Sequence, residues 1–324
     1  MGVGSKVGSW RLLGDVGGTN ARFALQAGAG AAPEALVQYR CADFESLHAV
    51  LQHYLAAPDR PRPQQAAIGI ANPIDGDHVR MTNHDWQFSI EALRQALGLR
   101  RLLFLNDFAA LALALPTLRK NELRPVGGGH AAAGGPLALL GPGTGLGVSG
   151  LMRNTEGPDR VISGEGGHVT LAAADDEETA VIDWLRRRFG HVSAERALSG
   201  QGLENLYHAW AELHGHAAEE LTAAQITARA LQRSDSACDA ALELFLSLLG
   251  NVAGNLALTL GALGGVYIGG GIVPRLGPRI DASRLRQRFE QKGRFAAYLS
   301  RVPVWVIQPG GEPALRGAAR ALDA

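Results

Sequence analysis

Two segments of this chain share one pattern, and this repetition constrains the fold more than any other feature of the sequence. Each segment has a short apolar run, a glycine-rich turn that contains a threonine, and a second apolar run. The turns are residues 14–20 (GDVGGTN) and 141–147 (GPGTGLG). Apolar runs bounded by glycines are typical of strand, turn and strand. The repetition predicts an internal duplication, in which two related halves face a cleft and each contributes one glycine turn.

Strand and helix signals alternate along the rest of the chain, which predicts an α/β fold. The first half has strand signals at 65–70 and 101–105 and helix signals at 90–97 and 108–115, where Pro116 ends the helix. The second half has helix signals at 180–189, 204–213, 222–231 and 239–260, then a strand at 302–307 and a helix at 313–322. We therefore predict a small α/β domain at residues 1–115, completed by about 303–324, and a larger, more helical domain at 116–302.

The composition argues against several classes of partner. Lys+Arg and Asp+Glu both number 31, whereas proteins that bind nucleic acid or anionic membranes favour a basic excess. The two cysteines, Cys41 and Cys238, are too few for a disulfide framework and lack metal-ligand spacing, which favours a reducing compartment. The N-terminus lacks the apolar core of a signal peptide. We expect a cytoplasmic protein with no nucleic-acid or membrane partner.

One uncharged stretch, residues 244–274, is long enough to raise the alternative of a membrane span. Polar side chains recur along its first half, and glycines crowd its second half. Because glycines would break a membrane helix, we predict a buried helix that ends near Leu260, followed by a turn and a buried strand at 266–268.

The first glycine turn has the groups that a phosphate chain requires. Glycines allow backbone N–H groups to converge on an anion, a threonine hydroxyl adds a donor, and a carboxylate can hold the Mg²⁺ that accompanies ATP. Asp15-x-Gly17-Gly18-Thr19 supplies all three. A tight hairpin turn is the alternative, but a second turn at Gly143-Thr144-Gly145 favours phosphate binding. The sequence has no P-loop, dinucleotide fingerprint or protein-kinase signature.

Two further loops follow predicted strands. Gly269-Gly270-Gly271 comes after the strand at 266–268, where glycines allow a base or a ribose to lie on the backbone, with a bare turn as the alternative. Asn106-Asp107 lies between a strand and a helix, at the edge where α/β sheets bind ligands. Asp107 is a candidate to accept a proton from a substrate hydroxyl, although either residue is also a good helix N-cap.

Three polar side chains on other loops are candidates for binding hydroxyl groups. Glu165 and His168 lie on a glycine-flanked loop (GEGGH), where a carboxylate accepts hydrogen bonds and an imidazole both accepts and donates them. The alternatives are a loop histidine bonded to backbone and, for Glu195, a solvated charge near the start of a helix.

Six motifs in collinear order resemble those of the bacterial glucokinase family, and the resemblance spans nearly the whole chain. They are Leu13-Gly14-Asp15-Val16-Gly17-Gly18-Thr19-Asn20-Ala21-Arg22, Thr82-Asn83-His84-Asp85-Trp86, Leu105-Asn106-Asp107-Phe108, Pro142-Gly143-Thr144-Gly145-Leu146-Gly147, residues 164–168 and Ala194-Glu195-Arg196-Ala197-Leu198-Ser199-Gly200. That family belongs to the actin, sugar kinase and heat-shock ATPase superfamily. The resemblance implies two actin-like (ribonuclease H-like) α/β domains around a central cleft, the second larger and more helical.

The resemblance also implies a role for each candidate residue. Asp107 would be the general base that takes the proton from the 6-hydroxyl of glucose, and the other glucose hydroxyls would be held by Asn106, Glu165, His168 and Glu195. The phosphates of ATP would lie on Gly14, Asp15, Val16, Gly17, Gly18 and Thr19, with Asp15 orienting Mg²⁺ through water. Gly143, Thr144 and Gly145 would form the second phosphate loop, and Gly269, Gly270 and Gly271 would border the adenosine.

The residues leave several alternatives open. The chain lacks the cysteine-rich zinc motif of the related repressor and kinase group, which favours the zinc-free glucokinase group. A kinase for fructose, mannose or N-acetylglucosamine remains a rival, as do another phosphoryl donor and a sugar-sensing protein that has lost catalysis. The presence of both Asp15 and Asp107 argues against lost catalysis. We expect a homodimer, although the residues do not determine the oligomeric state.

Overall fold

The computed structural model describes residues 9–81 and 85–324. Thr82, Asn83 and His84, which begin one of the six motifs, lie outside the described residues, as does the N-terminal segment 1–8. The chain divides into two compact units. The smaller comprises Met1–Leu118 and Gly310–Ala324, and the larger comprises Arg119–Pro309.

The smaller unit combines a five-stranded mixed sheet with a two-stranded hairpin and helices. Its elements are β1 (Arg11–Val16), β2 (Asn20–Gln26), β3 (Glu34–Arg40), α1 (Leu47–Leu55), β4 (Gln65–Ile70), β5 (His78–Arg80), β6 (Gln87–Ser89), α2 (Ile90–Ala96), β7 (Arg101–Asn106), α3 (Asp107–Ala114) and α10 (Pro313–Asp323). The sheet has the order β3-β2-β1-β4-β7. β2 is antiparallel to β1 and β3, whereas β1, β4 and β7 are parallel.

Apolar side chains cover both faces of this sheet. Because successive side chains of a strand point to opposite faces, Leu12 and Leu13 of β1 belong to two different cores. Leu12 packs in the core that includes α1, and Leu13 packs with Leu315 and other side chains of α10. A Cβ added at Gly317 of α10 would overlap the carbonyl oxygen of Ala110, so α10 also lies closely against α3.

The larger unit is built on a six-stranded sheet with more helices around it. Its elements are β8 (Leu123–Pro125), β9 (Leu137–Pro142), β10 (Leu146–Met152), β11 (Arg160–Gly164), α4 (Asp176–Phe189), α5 (Gly200–Leu213), α6 (Ala223–Gln232), α7 (Ser236–Leu260), β12 (Gly265–Ile268), α8 (Leu285–Glu290), α9 (Ala296–Leu299) and β13 (Val304–Ile307). The sheet has the order β11-β10-β9-β12-β13-β8. Its core contains most of the apolar side chains of α4 to α8.

The two sheets repeat one strand order, which agrees with the predicted duplication. In each, an antiparallel pair joined by a glycine turn (β1-β2 and β9-β10) has a third antiparallel strand on one side, β3 or β11. On the other side lie two strands parallel to the first, which are β4 and β7 in one sheet and β12 and β13 in the other. The larger sheet adds β8 beyond this shared order.

The segment between the two units differs from the expected boundary near residue 303. β13 pairs in parallel with β12 and antiparallel with β8, so residues 303–309 belong to the larger unit. Only Gly310–Ala324, which contains α10, belongs to the smaller unit. The strand and the helix were both assigned to the smaller domain, but backbone pairing puts the strand in the larger unit.

α7 ends at Leu260 as predicted, and Gly261 follows it in the left-handed conformation. By length and composition this helix is apolar enough to cross a membrane, but 72% of its most apolar window is buried inside the protein. Added Cβ atoms at Gly250 and Gly254 would overlap the carbonyl oxygens of Leu285 and Phe289, so these glycines permit close packing with α8. α7 is a core helix of the larger unit.

Candidate active site

The carboxyl ends of three parallel strands meet at one edge of the smaller sheet. Val16 of β1 is in register with Ile70 of β4, which is in register with Asn106 of β7. A Cβ added at Gly69 would lie 3.2 Å from Ala110 Cβ, so the first turns of α3 pack directly on β4. The turn after β1 and the pair Asn106-Asp107 therefore share this edge, as the strand–loop pattern predicts.

The first glycine turn is held by backbone contacts on both sides. Gly17 N donates to the carbonyl oxygen of Asn20 at 2.9 Å, which closes the turn between β1 and β2. Cys41, at the end of β3, donates its backbone N–H to Thr19 O at 2.9 Å, and its Sγ lies 3.5 Å from Gly17 O. Thr19 is exposed and Gly17 and Gly18 are half-buried, so the turn remains accessible to a ligand.

Asp15 lies beside this turn and is paired with an arginine. Its Oδ2 accepts from Arg22 Nη1 at 3.3 Å, and its side chain is 20% exposed. Burial raises the pKa of the Asp15 carboxyl above its usual range, and the Arg22 guanidinium opposes that shift. Arg22 also donates to Gln38 Oε1 at 2.8 Å and lies 3.8 Å from Glu312 Oε2. The carboxylate is thus oriented but partly accessible.

Asn106 and Asp107 occupy the start of α3. Asn106 Oδ1 accepts from Phe108 N at 3.0 Å and from Ala109 N at 3.3 Å, so Asn106 is the N-cap of this helix. Asp107 is the first residue of the helix, and its Oδ1 accepts from Phe108 N at 2.9 Å. The N-cap alternative is thus correct for Asn106. Both residues are half-buried at the sheet edge.

The second glycine turn and the glycine triplet share an edge of the larger sheet. Gly143 N donates to Gly145 O at 2.8 Å within the turn, and Gly200 N at the start of α5 donates to Gly143 O at 2.9 Å. Gly270 has φ +78°, and an added Cβ would overlap the carbonyl oxygen of Pro142. Only glycine suits that conformation and that close approach. The triplet thus lies against the residue that precedes the turn.

The three remaining candidates lie near the start of β10 in the larger unit. Added Cβ atoms at Gly166 and Gly167 would overlap Val148 and Leu146, so the loop of Glu165 and His168 packs on this strand. The chain after His168 pairs with the chain before Glu195, because Ala194 N donates to Val169 O at 2.9 Å. Glu165 and His168 are exposed, whereas Glu195 is half-buried and accepts from Leu146 N at 2.8 Å.

The structure places the predicted residues in two sets, one in each unit. The set of the smaller unit is Gly14, Asp15, Val16, Gly17, Gly18, Thr19, Asn106 and Asp107, and that of the larger unit is Gly143, Thr144, Gly145, Glu165, His168, Glu195, Gly269, Gly270 and Gly271. Sequence reasoning missed three supports of the turns: Arg22, Cys41 and the N-terminus of α5. Arg22 stands in the first motif, but no spacing rule connects Cys41 with the turn.

Comparison with known proteins gives one consistent family. The sequence model of glucokinase matches residues 12–324. A glucokinase from Aromatoleum aromaticum is 56% identical over 97% of this chain and 94% of its own length. A glucokinase structure from an Antarctic psychrotroph has a TM-score of 0.90 and 39% identity, covering 98% of this chain and 99% of that chain. The Balamuthia mandrillaris glucokinase in complex with glucose has a TM-score of 0.77 at 20% identity, covering 99% of this chain and 96% of that chain, a likeness of fold.

Proposed function

Because the chain belongs to the glucokinase family, we propose that it transfers the γ-phosphoryl group of ATP to the 6-hydroxyl of D-glucose, giving glucose 6-phosphate and ADP. One observation carries this proposal. Asp107, a candidate base, lies at the same sheet edge as the glycine turn that follows Asp15. A proton acceptor and a phosphate-binding turn at one edge are the two parts that phosphoryl transfer to a hydroxyl requires.

Asp107 orients the 6-hydroxyl of glucose and accepts its proton as the hydroxyl oxygen attacks the γ-phosphorus. A new O–P bond forms while the bond between the γ-phosphorus and the bridging oxygen breaks, and ADP leaves with that electron pair. Asn106, Glu165, His168 and Glu195 bind the other glucose hydroxyls. The position of Asp107 at the N-terminus of α3 supports this role, because the helix cap fixes the backbone from which its side chain projects.

Residues 14–19 and 143–145 bind the phosphates of ATP, and residues 269–271 border its adenosine. The start of α5 beside Gly143 supports the second assignment, because a helix N-terminus favours anions. The contact of Gly270 with Pro142 supports the third, because it places bare backbone next to that turn. Donors fixed before the reaction stabilise charge that develops on the phosphoryl oxygens.

Asp15 fits a magnesium ion that ATP brings with it. Within the described ranges, no group of three or more His, Cys, Asp or Glu side chains is arranged to hold a metal. A single, partly exposed carboxylate suits Mg²⁺, which keeps several waters and binds through one or two carboxylates and the substrate phosphates. Bound there, Mg²⁺ neutralises charge on the phosphates, while Arg22 holds the Asp15 carboxylate in orientation.

A panel of sugars and phosphoryl donors tests the proposal. The purified protein is incubated with glucose, fructose, mannose or N-acetylglucosamine and with ATP or polyphosphate. We expect ADP release to depend on glucose and ATP, and phosphorus NMR to locate the new phosphate on the 6-oxygen. Release with another sugar would identify the rival hexose kinase, and the absence of sugar-dependent release would support the sugar-sensing alternative.

We also propose that the protein is a cytoplasmic homodimer. Cys41 and Cys238 are both free and buried, which supports a reducing compartment. Size-exclusion chromatography with light scattering measures the assembly directly, and a monomeric mass at working concentration would contradict the dimer.

A further inference from the structure

Residues 195–200 hold the second glycine turn from both of its ends. Glu195 Oε2 accepts from the backbone N–H of Leu146, just after the turn, at 2.8 Å. Gly200 N donates to the carbonyl oxygen of Gly143, where the turn begins, at 2.9 Å. Between them, Ser199 Oγ donates to Glu195 O at 2.9 Å and caps α5 by accepting from Gly202 N at 3.0 Å. Residues 195–200 therefore form a short segment with an internal hydrogen bond that contacts both ends of the turn.

Gly145 shows how closely the Glu195 carboxylate approaches the turn. A Cβ added there would overlap Glu195 Oε2 and would lie 3.2 Å from Glu195 Cδ. The Glu195 carboxylate therefore lies directly against the turn, and the turn leaves room for it only because residue 145 has no side chain.

We propose that Glu195 is a positioning residue that couples sugar binding to nucleotide binding. This inference rests on the proposed function, in which Glu195 binds a glucose hydroxyl and residues 143–145 bind the phosphates of ATP. A carboxylate has two oxygens, so Oε2 holds the Leu146 N–H while Oε1 accepts from the sugar. A sugar that fixes the carboxylate also fixes the turn. A nucleotide that fixes the turn favours the same carboxylate orientation, and coupling between two binding sites is reciprocal.

Calorimetry measures this coupling directly. The affinity for glucose is determined with and without Mg²⁺ and a non-hydrolysable ATP analogue, and the affinity for the analogue with and without glucose. For the wild-type protein we expect each ligand to tighten the other by the same factor, about fivefold or more. Glu195→Ala should reduce that factor to about one and raise KM for ATP about tenfold, because the turn loses a charge-assisted hydrogen bond.

Three further variants separate coupling from simple loss of sugar contacts. Glu195→Gln keeps an oxygen for Leu146 N–H, so the KM for ATP should stay near the wild-type value. Because its amide nitrogen cannot accept from the sugar, glucose binding should weaken and the coupling factor should fall. Glu165→Ala should weaken glucose binding with the coupling factor unchanged, because Glu165 is exposed and the side chain that holds Leu146 N–H is that of Glu195. Gly145→Ala should displace the Glu195 carboxylate and resemble Glu195→Ala, so it carries the test if Glu195→Ala does not fold.

A coupling factor of one in the wild-type protein would overturn the proposal. So would a wild-type coupling factor that is retained in both Glu195→Ala and Gly145→Ala. Either result with normal glucose phosphorylation would leave the proposed function intact. A wild-type protein that phosphorylates no sugar would overturn the function first, and the coupling with it.

Discussion

The two glycine turns occupy equivalent places in two repeated sheets, yet different elements hold them. The first, between β1 and β2, is supported by Cys41 at the end of β3 and lies next to the Asp15 carboxylate. The second, between β9 and β10, is supported by the N-terminus of α5, by Glu195 and by the glycine triplet. The two sheets therefore share a backbone arrangement, whereas the groups around each turn differ.

The residues that follow the equivalent strands β7 and β13 also differ between the two units. β7 is followed by Asp107 at the start of α3, whereas β13 is followed by Gln308 and a loop toward α10. The acidic candidates of the smaller unit, Asp15 and Asp107, therefore lie near the ends of parallel strands, whereas those of the larger unit, Glu165 and Glu195, lie on loops beside β10. In the proposed function, the smaller unit supplies the base and the metal ligand, and both units bind substrates.

Asp107 gives the most severe test of this division. Asp107→Ala should lower kcat by about 10²–10⁴-fold, the range for loss of a general base, while glucose binding weakens less. Gln308→Ala changes the equivalent strand end of the larger unit and should keep nearly native kcat. Steady-state kinetics for both variants decide the matter. Near-native turnover in Asp107→Ala, or a comparable loss in Gln308→Ala, would break the contrast between the units.

Asp15 is the next largest expected effect, because its carboxylate is the proposed magnesium ligand, whereas the Glu195 carboxylate beside the second turn is bonded to the backbone of Leu146. Asp15→Asn should lower kcat on the order of 10²-fold, the scale for removing one group that stabilises transition-state charge, and should raise the Mg²⁺ concentration needed for activity. Asp43→Asn is the control, because Asp43 is an exposed carboxylate two positions after Cys41, which contacts the same turn, and it should match wild type in both measurements.

Asp15→Asn should raise the stability of the protein although it lowers kcat. Burial raises the pKa of Asp15 in the folded state, so ionisation disfavours folding once the pH exceeds the unfolded value of about 3.9. The variant should therefore unfold at higher temperature than wild type near pH 7, and the difference should vanish below about pH 3.9. Thermal melting across this pH range measures it, and a less stable variant at pH 7 would contradict the assigned burial cost.

Gly270 tests the support of the second turn by the triplet. Gly270→Ala combines a φ of +78° with overlap against Pro142 O, so the triplet and the end of β9 must shift. A displacement of this kind should lower kcat/KM for ATP by up to about 10²-fold, with a smaller effect on glucose. Gly215→Ala is the matched control, because φ is +68° but no atom lies within 4 Å of the added Cβ. Equal losses in both variants would attribute the effect to backbone strain alone.

Cys41 should give the smallest effect, since a thiol is a weak donor. Cys41→Ala removes the contact with Gly17 O and should raise KM for ATP about threefold, the lower range for one lost hydrogen bond. Cys41→Ser keeps a donor and should restore most of the affinity. If Ser behaves as Ala does, the backbone N–H of residue 41 is sufficient to hold the first turn.

The sequence predicts the buried strands well and most edge strands poorly. β4, β9 and β12 were expected because central strands covered on both faces consist of apolar runs. β7 lies at a sheet edge and was still expected, because its run is mostly apolar. β3 and β11 were missed because they lie at sheet edges with mostly exposed side chains, which mix polar and apolar residues without a clear period. The period and composition of apolar residues indicate buried segments, and few side chains of these edge strands are buried.

Individual site residues followed a similar rule. Asp15, Asn106 and Asp107 were found because each lies directly at the end of an apolar strand. The contact between Glu195 and Leu146 joins residues 49 positions apart, and neither residue type predicts it. The same holds for Cys41 and Gly17, which are 24 positions apart. Local motifs thus located the turns, whereas their supports depend on tertiary packing that no local pattern records.

The smaller unit takes its last helix from residues that the ribosome adds after the whole larger unit. Until α10 is synthesised, the face of the sheet that carries Leu13, Ala24 and Ala67 has no apolar cover from Leu315 or Ala318. The contiguous larger unit can fold first, as complete domains do during synthesis. A nascent chain stalled before residue 310 should therefore expose an apolar sheet face. We expect chaperones to bind the nascent chain at this stage of translation.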